Sequence, residues 1–196
     1  MRRDLNVENR RVIIYVGSLG TWYLADEMAD LLQTARERDS SVFALILTQS
    51  PAEIMTEKLK ERGFSGNDFI VKKVTHAEIP RYLSAADTAI SFIKPCYSKL
   101  SSSPTKIAEY LASGVPIITN RGVGDVAEVI EKHQSGAVVE DFSRESYIES
   151  LRKIAELCQT SDLHENCVTS AKEEFDLEVV GGTKYRLLYK LLMVDD

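Results

Sequence analysis

Ser101-Ser102-Ser103-Pro104-Thr105-Lys106 puts four hydroxyls and a cation into six residues, and a carboxylate, Glu109, follows within one helical turn. Ser103 suits a helix cap and Pro104 the first helical position. A helix starting there offers unpaired backbone amides and partial positive charge, which together hold phosphate. Ile107 and Leu111, helped by Ala108, form its buried stripe, and Thr105 and Glu109 lie on the other side. Glu109 stands about 9 Å along the axis from Ser103, at 1.5 Å per residue. A nucleoside diphosphate resting its phosphates on the helix start would present its ribose hydroxyls to that carboxylate. An ordinary surface helix also begins Ser-Pro and carries outward glutamates, so these residues alone leave both readings open.

Gly17-Ser18-Leu19-Gly20-Thr21 is a second small, polar loop. It is not a dinucleotide fingerprint, because Tyr23 occupies the third glycine position. Thr48-Gln49-Ser50 follows the second strand where that fingerprint needs an acid, which counts against a dehydrogenase. Gly122-Val123-Gly124-Asp125 fits either a ligand loop or a turn ending in an aspartate cap.

The elements that position these loops alternate along the chain. Short β-branched or apolar runs at Val12–Val16, Val42–Leu47, Asp68–Lys73, Thr88–Ile93, Val115–Thr119 and Gly136–Val139 predict six strands. Between them, helices are predicted at Trp22–Arg38, Pro51–Arg62, Ile79–Ala85, Pro104–Ser113 and Asp125–Lys132. A helical tail over about 143–196 follows, with segments at 144–159, 161–174 and 178–193. Strands joined through helices pair in parallel, so the fold class is α/β: a three-layer α/β/α Rossmann-like domain. Its doubly wound six-stranded sheet has the expected order 3-2-1-4-5-6, over one domain covering 1–196. Ligands of such sheets bind at the carboxyl ends of strands one and four, where the chain departs in opposite directions. The Gly17 loop and the Lys94–Ser103 loop sit at those ends.

Composition excludes several classes. The net charge of −6 over 196 residues argues against a nucleic-acid binder, which needs a concentrated basic face. No apolar run is long enough to span a membrane, and Met1 to Asn6 does not lead into a signal peptide. Cys96, Cys158 and Cys167 are odd in number and widely spaced, and His76, His133 and His164 form no ligand pattern with them. Neither a disulfide framework nor a metal site is expected, and a reducing cytoplasm is the natural compartment.

From about Val12 to Leu192, nearly its whole length, the sequence resembles the C-terminal domain of GT-B retaining glycosyltransferases, specifically glycosyltransferase family 4. The likeness lies in Ile79-Pro80-Arg81-Tyr82-Leu83-Ser84-Ala85-Ala86-Asp87 and in Ser102 to Ile118, Ser-Ser-Pro-Thr-Lys-Ile-Ala-Glu-Tyr-Leu-Ala-Ser-Gly-Val-Pro-Ile-Ile. Asn120 to Asp125 and Tyr185-Arg186-Leu187-Leu188-Tyr189 are similar too. The resemblance implies a domain that binds a nucleotide sugar, UDP-, GDP- or similar, as substrate, with no metal or other cofactor. It implies phosphate contacts from Gly17, Ser18, Leu19, Gly20, Ser101, Ser102, Ser103, Pro104, Thr105 and Lys106. Thr48, Thr75 and His76 would flank the base. Glu109 matches the second glutamate of the family's E-x7-E pattern and would hold the ribose, but the first glutamate is replaced by Ser101. The arginine and lysine that many members carry after the first strand are absent, so Lys106, Lys99 or Lys94 would supply the compensating charge. The resemblance implies an acceptor site on a separate N-terminal domain, which is expected to lie outside this sequence. The implied activity is transfer to a glycan or lipid-linked acceptor, and the isolated chain would be inactive. Any peripheral membrane association would come through the full enzyme. Two alternatives share the same domain: a nucleotide-sugar epimerase, and a non-catalytic subunit partnering a separate acceptor-binding chain. In the two-domain enzymes the last helix braces the first domain, so Val179 to Met193 would expose an apolar stripe.

Overall fold

A computed structural model describes residues 1–192. Its six strands are β1 (Arg11–Val16), β2 (Val42–Leu47), β3 (Phe69–Lys72), β4 (Thr88–Ser91), β5 (Ile117–Asn120) and β6 (Gly136–Val139). They form one all-parallel sheet in the order β3-β2-β1-β4-β5-β6, as the alternation predicts. A one-turn helix, α1 (Arg2–Leu5), precedes it. The crossovers are α2 (Ala25–Arg38), α3 (Glu53–Glu61), α4 (Ile79–Leu83), α5 (Thr105–Ala112) and α6 (Val126–Lys132). After β6 come α7 (Arg144–Leu157), α8 (Leu163–Phe175) and α9 (Gly182–Leu192).

Both faces of the sheet are covered, which is why β1 and β2 are continuous apolar runs. Alternate residues of β1 enter different cores. Ile13 and Tyr15 pack with Met28 and Leu31 of α2, Leu59 of α3 and Ile154 of α7. Val12, Ile14 and Val16 pack with Ile107, Tyr110 and Leu111 of α5, Leu83 of α4 and Cys167 of α8.

β1 pairs with β4 only through Ile13 with Thr88 and Ile14 with Ala89, so the two strands part before β1 ends. That parting opens the crevice of the doubly wound sheet. Backbone groups left without a ladder need other partners. The buried Tyr110 hydroxyl accepts from the Val16 amide at 2.7 Å and donates to the Val16 carbonyl at 3.3 Å. Across the crevice, the Asn120 side chain accepts from the Ile93 amide at 2.9 Å and donates to the Ile93 carbonyl at 2.9 Å.

Several predicted boundaries move. The first long helix begins at Ala25 and not at Trp22, because Thr21 to Leu24 runs beside the end of β4. There Tyr23 bridges Ile93, and the Leu24 amide donates to the Phe92 carbonyl. Pro51 lies ahead of α3 and Pro104 is the residue before α5, so neither takes the first helical position. The fifth strand starts at Ile117, after Val115 and Pro116 have turned into the sheet. In the tail, Leu177–Gly181 forms a π-helical turn before α9, and Met193, the predicted end of that helix, lies outside the described residues. Tyr185, Leu188, Tyr189 and Leu192 recur at the spacing of one helix face and all are exposed.

Candidate donor-binding site

At the carboxyl end of β1 the chain turns at Gly17, whose amide donates to the Leu47 carbonyl at 2.9 Å. Gly17 has φ +143°, and a β-carbon placed on it would lie 2.5 Å from Lys106 Nζ. A side chain at this position would push the lysine end aside. The loop is then fixed from several sides. The Tyr15 hydroxyl donates to the Ser18 carbonyl at 2.5 Å, and the Leu19 amide donates to Ser50 Oγ at 2.9 Å. Thr48 is buried, and its hydroxyl accepts from the Ser50 amide at 3.1 Å. Of the four predicted loop residues, Leu19 is buried in the core, Gly17 is half-buried, and Ser18 and Gly20 are exposed.

Helix α5 supplies the facing wall. Composition makes Ser103 the cap, yet Pro104 occupies that position and no side chain bonds the first amides. The first intrahelical bond runs from the Ile107 amide to the Pro104 carbonyl at 3.0 Å. Among the described residues, the Thr105 and Lys106 amides have no hydrogen-bond partner, which leaves two donors at the positive end of the helix. The buried stripe also differs from the predicted one: Lys106, Ile107, Tyr110 and Leu111 are buried and Ala108 is only half-buried.

Lys106 is the main surprise of the site. Its side chain is 8 % exposed and crosses the end of β1 beneath the Gly17 loop. The amine donates to the Tyr15 hydroxyl at 3.2 Å and lies 4.4 Å and 4.2 Å from the ring centres of Tyr15 and Tyr23. Burial pushes its pKa down to about 7, and Glu109 one turn along opposes that fall. The two rings stabilise the ammonium through their electron-rich faces but bring no full charge.

Glu109 sits further along α5, and its carboxylate meets His76 Nε2 at 3.0 Å. His76 opens a 3-10 turn, His76–Glu78, which follows β3. Thr75 closes a capping box there: its hydroxyl donates to Glu78 at 2.7 Å and its amide at 2.8 Å. The fold therefore brings the base-flanking candidate His76 to the ribose candidate Glu109, while the Thr75 hydroxyl is already engaged. Ser101, Ser102 and Ser103 line a different recess, shared with Asp125 and Glu128 at the start of α6. They are adjacent to the crevice rather than gathered around Lys106.

Of the other predicted cations, Lys94 is exposed at the crevice rim and Lys99 lies over the Trp22 ring at 5.2 Å. A cavity at the opposite end of the sheet, lined by Arg11, Ile13, Arg38 and Leu151, holds none of the predicted residues. Sequence reasoning missed Tyr15 and Tyr23. Tyr15 lies in an apolar run and reads as core, and Tyr23 was assigned to a helix. A tyrosine as the penultimate residue of the first strand, at the switch point, was the available signal.

A family model described as "Glycosyl transferases group 1" matches residues 1–174. The chain belongs to the group 1 glycosyl transferases. Among solved structures, this glycosyl transferase domain is similar to HepE from Anabaena, crystallised with UDP-glucose. The identity is 19 % and the TM-score 0.76, covering 96 % of this chain and 51 % of HepE. It is similar to WaaG, a glycosyltransferase involved in lipopolysaccharide biosynthesis, at 16 % identity and TM-score 0.71, covering 95 % of this chain and 49 % of WaaG. The C-terminal domain of a group 1 family protein, LpcC, from Francisella tularensis matches at 16 % identity and TM-score 0.64, with 90 % and 93 % of the two chains covered. No curated protein matches the sequence. The chain spans about half the length of HepE and WaaG. Among the described residues, no helix is long and apolar enough to cross a membrane.

Proposed function

We propose that this glycosyl transferase domain is the donor half of a retaining, metal-independent enzyme and binds the nucleoside diphosphate of a nucleotide sugar. The observation that carries this is Lys106, a buried amine with one hydrogen bond, beside two unpartnered amides at the start of α5. A diphosphate laid between the Gly17 loop and α5 meets all three. In transfer, the same groups stabilise charge building on the departing phosphate, an electrostatic contribution of the oxyanion-hole kind. Glu109 accepts from the ribose hydroxyls, taking over from its contact with His76, and the base lies along the loop at Thr48, Thr75 and His76. The donor complexes of HepE, with UDP and with UDP-glucose, make UDP the first nucleotide to test.

The acceptor, a glycan or a lipid-linked sugar, is held by a second, N-terminal domain. The exposed face of α9, Tyr185, Leu188, Tyr189 and Leu192, suits a brace against such a domain. Donor binding takes place in the cytoplasm.

Calorimetric titration of the chain with UDP, GDP, ADP and CDP tests the assignment. One of them should bind at micromolar strength, and Glu109→Ala should weaken it by roughly tenfold or more, the worth of a hydrogen bond to a charged group. Binding of none of the four would refute the donor role.

A further inference from the structure

Lys106 carries a consequence beyond anchoring an anion, resting on the donor-site assignment above. The groups that face its amine are few. β1 contributes Tyr15 and the loop before α2 contributes Tyr23. On its own helix, Tyr110 is turned to the backbone of Val16 and Glu109 to His76. Lys99, from the loop after β4, is turned onto Trp22. Burial holds the Tyr15 and Tyr110 hydroxyls far above their ordinary range, so both stay neutral. Among the described residues, no carboxylate lies within ion-pair distance of Lys106 Nζ. A charge there is desolvated and lacks a counter-ion until an anion arrives.

We propose that Lys106 is largely uncharged in the empty crevice above neutral pH and takes up a proton from solvent when the donor diphosphate enters, so that donor binding is coupled to proton uptake. The free-state value of about 7 set by burial agrees with the geometry. A diphosphate within a few ångströms favours the ammonium and raises that value in the complex. The sign follows from linkage. Below about pH 7 the amine is already protonated and affinity is level. Above it, each binding event must first recruit a proton, and affinity falls by up to about tenfold per pH unit until the complex itself deprotonates.

UDP-glucose is the suitable probe, because its diphosphate is esterified at both ends and does not titrate through this range. Titration calorimetry of the full chain from about pH 6 to about pH 8.5 should show level affinity at first, then a fall approaching about tenfold over the last unit. Repeating the titration near pH 7.5 in two buffers of different ionisation enthalpy should reveal uptake of up to about one proton. Lys106→Arg, whose guanidinium stays charged, should bind UDP-glucose with neither the slope nor the uptake. Wild-type affinity that is level across the range with no proton uptake would overturn the coupling while leaving the donor site standing. So would an unchanged slope in Lys106→Arg. Failure of UDP-glucose to bind at any pH would instead overturn the donor-site assignment, and the coupling with it.

Discussion

Gly17→Ala probes the closest approach in the crevice. Two costs can be worked from the geometry. The backbone at Gly17 has φ +143°, a conformation worth roughly 1–3 kcal/mol of strain for a residue with a side chain. The new methyl would also lie 2.5 Å from Lys106 Nζ, 3.2 Å from its Cε and 3.2 Å from the Tyr15 hydroxyl. The lysine end is flexible and would yield by about 1 Å to restore ordinary contact, leaving the Tyr15 hydroxyl and the mouth of the crevice. Differential scanning calorimetry should therefore show Tm lowered by roughly 3–10 °C, at about 2–4 °C per kcal/mol for a chain of this length. Titration with UDP should show affinity lowered by about tenfold or more. Gly63→Ala is the control. Gly63 also has positive φ, +81°, but nothing lies within 4 Å of the added carbon. It should cost roughly 1 kcal/mol of stability and leave UDP affinity unchanged. Equal UDP affinity in wild type and Gly17→Ala would refute the placement of Lys106 beneath this loop as the anion contact.

Tyr110→Phe removes one hydroxyl and nothing else, leaving the Val16 amide and carbonyl buried without that partner. Stability should fall by about 1–3 kcal/mol in urea unfolding, and a loss under about 0.5 kcal/mol would show that water replaces the hydroxyl. Asp68 tests the other end of the sheet. Burial works to raise its pKa, but hydrogen bonds from Ser65 and Arg10, with Arg36 nearby, hold it down to about 2. Since the folded value lies below the unfolded one, its contribution is complete above about pH 4 and lost as pH falls through about 2. Asp68→Asn should therefore lose about 2 kcal/mol at neutral pH and lose less further stability than wild type on acidification. Parallel acid limbs for the two proteins would contradict this.

Much of the fold was legible because its signals are local. Val12–Val16 and Val42–Leu47 are apolar on both faces, and the helices between them carry a 3.6-residue stripe, so parallel order and crevice position followed. Errors arose where tertiary contacts override local signals. Trp22 to Leu24 reads as the start of a helix, yet a turn from Gly20 to Tyr23 and pairing with Phe92 to Lys94 keep it out of α2. Ser103-Pro104 has the composition of a cap and first turn, yet the chain enters α5 one residue later.

By itself the sequence determined the alternation of strands and helices, the loops that follow the first and fourth strands, and Glu109 as an acid one turn beyond the start of α5. These depend on spacing along one segment, which periodicity reports. Only the tertiary structure decided that Lys106 passes under Gly17 to reach Tyr15, 91 residues away, and that Tyr110 satisfies Val16, 94 residues away. A lysine in a helix stripe reads as solvent-facing, since its charge forbids burial unless something compensates it. Its surroundings here are two tyrosine rings and a hydroxyl, drawn from β1 and the loop before α2. No local pattern contains that combination, because it exists only where the strands part.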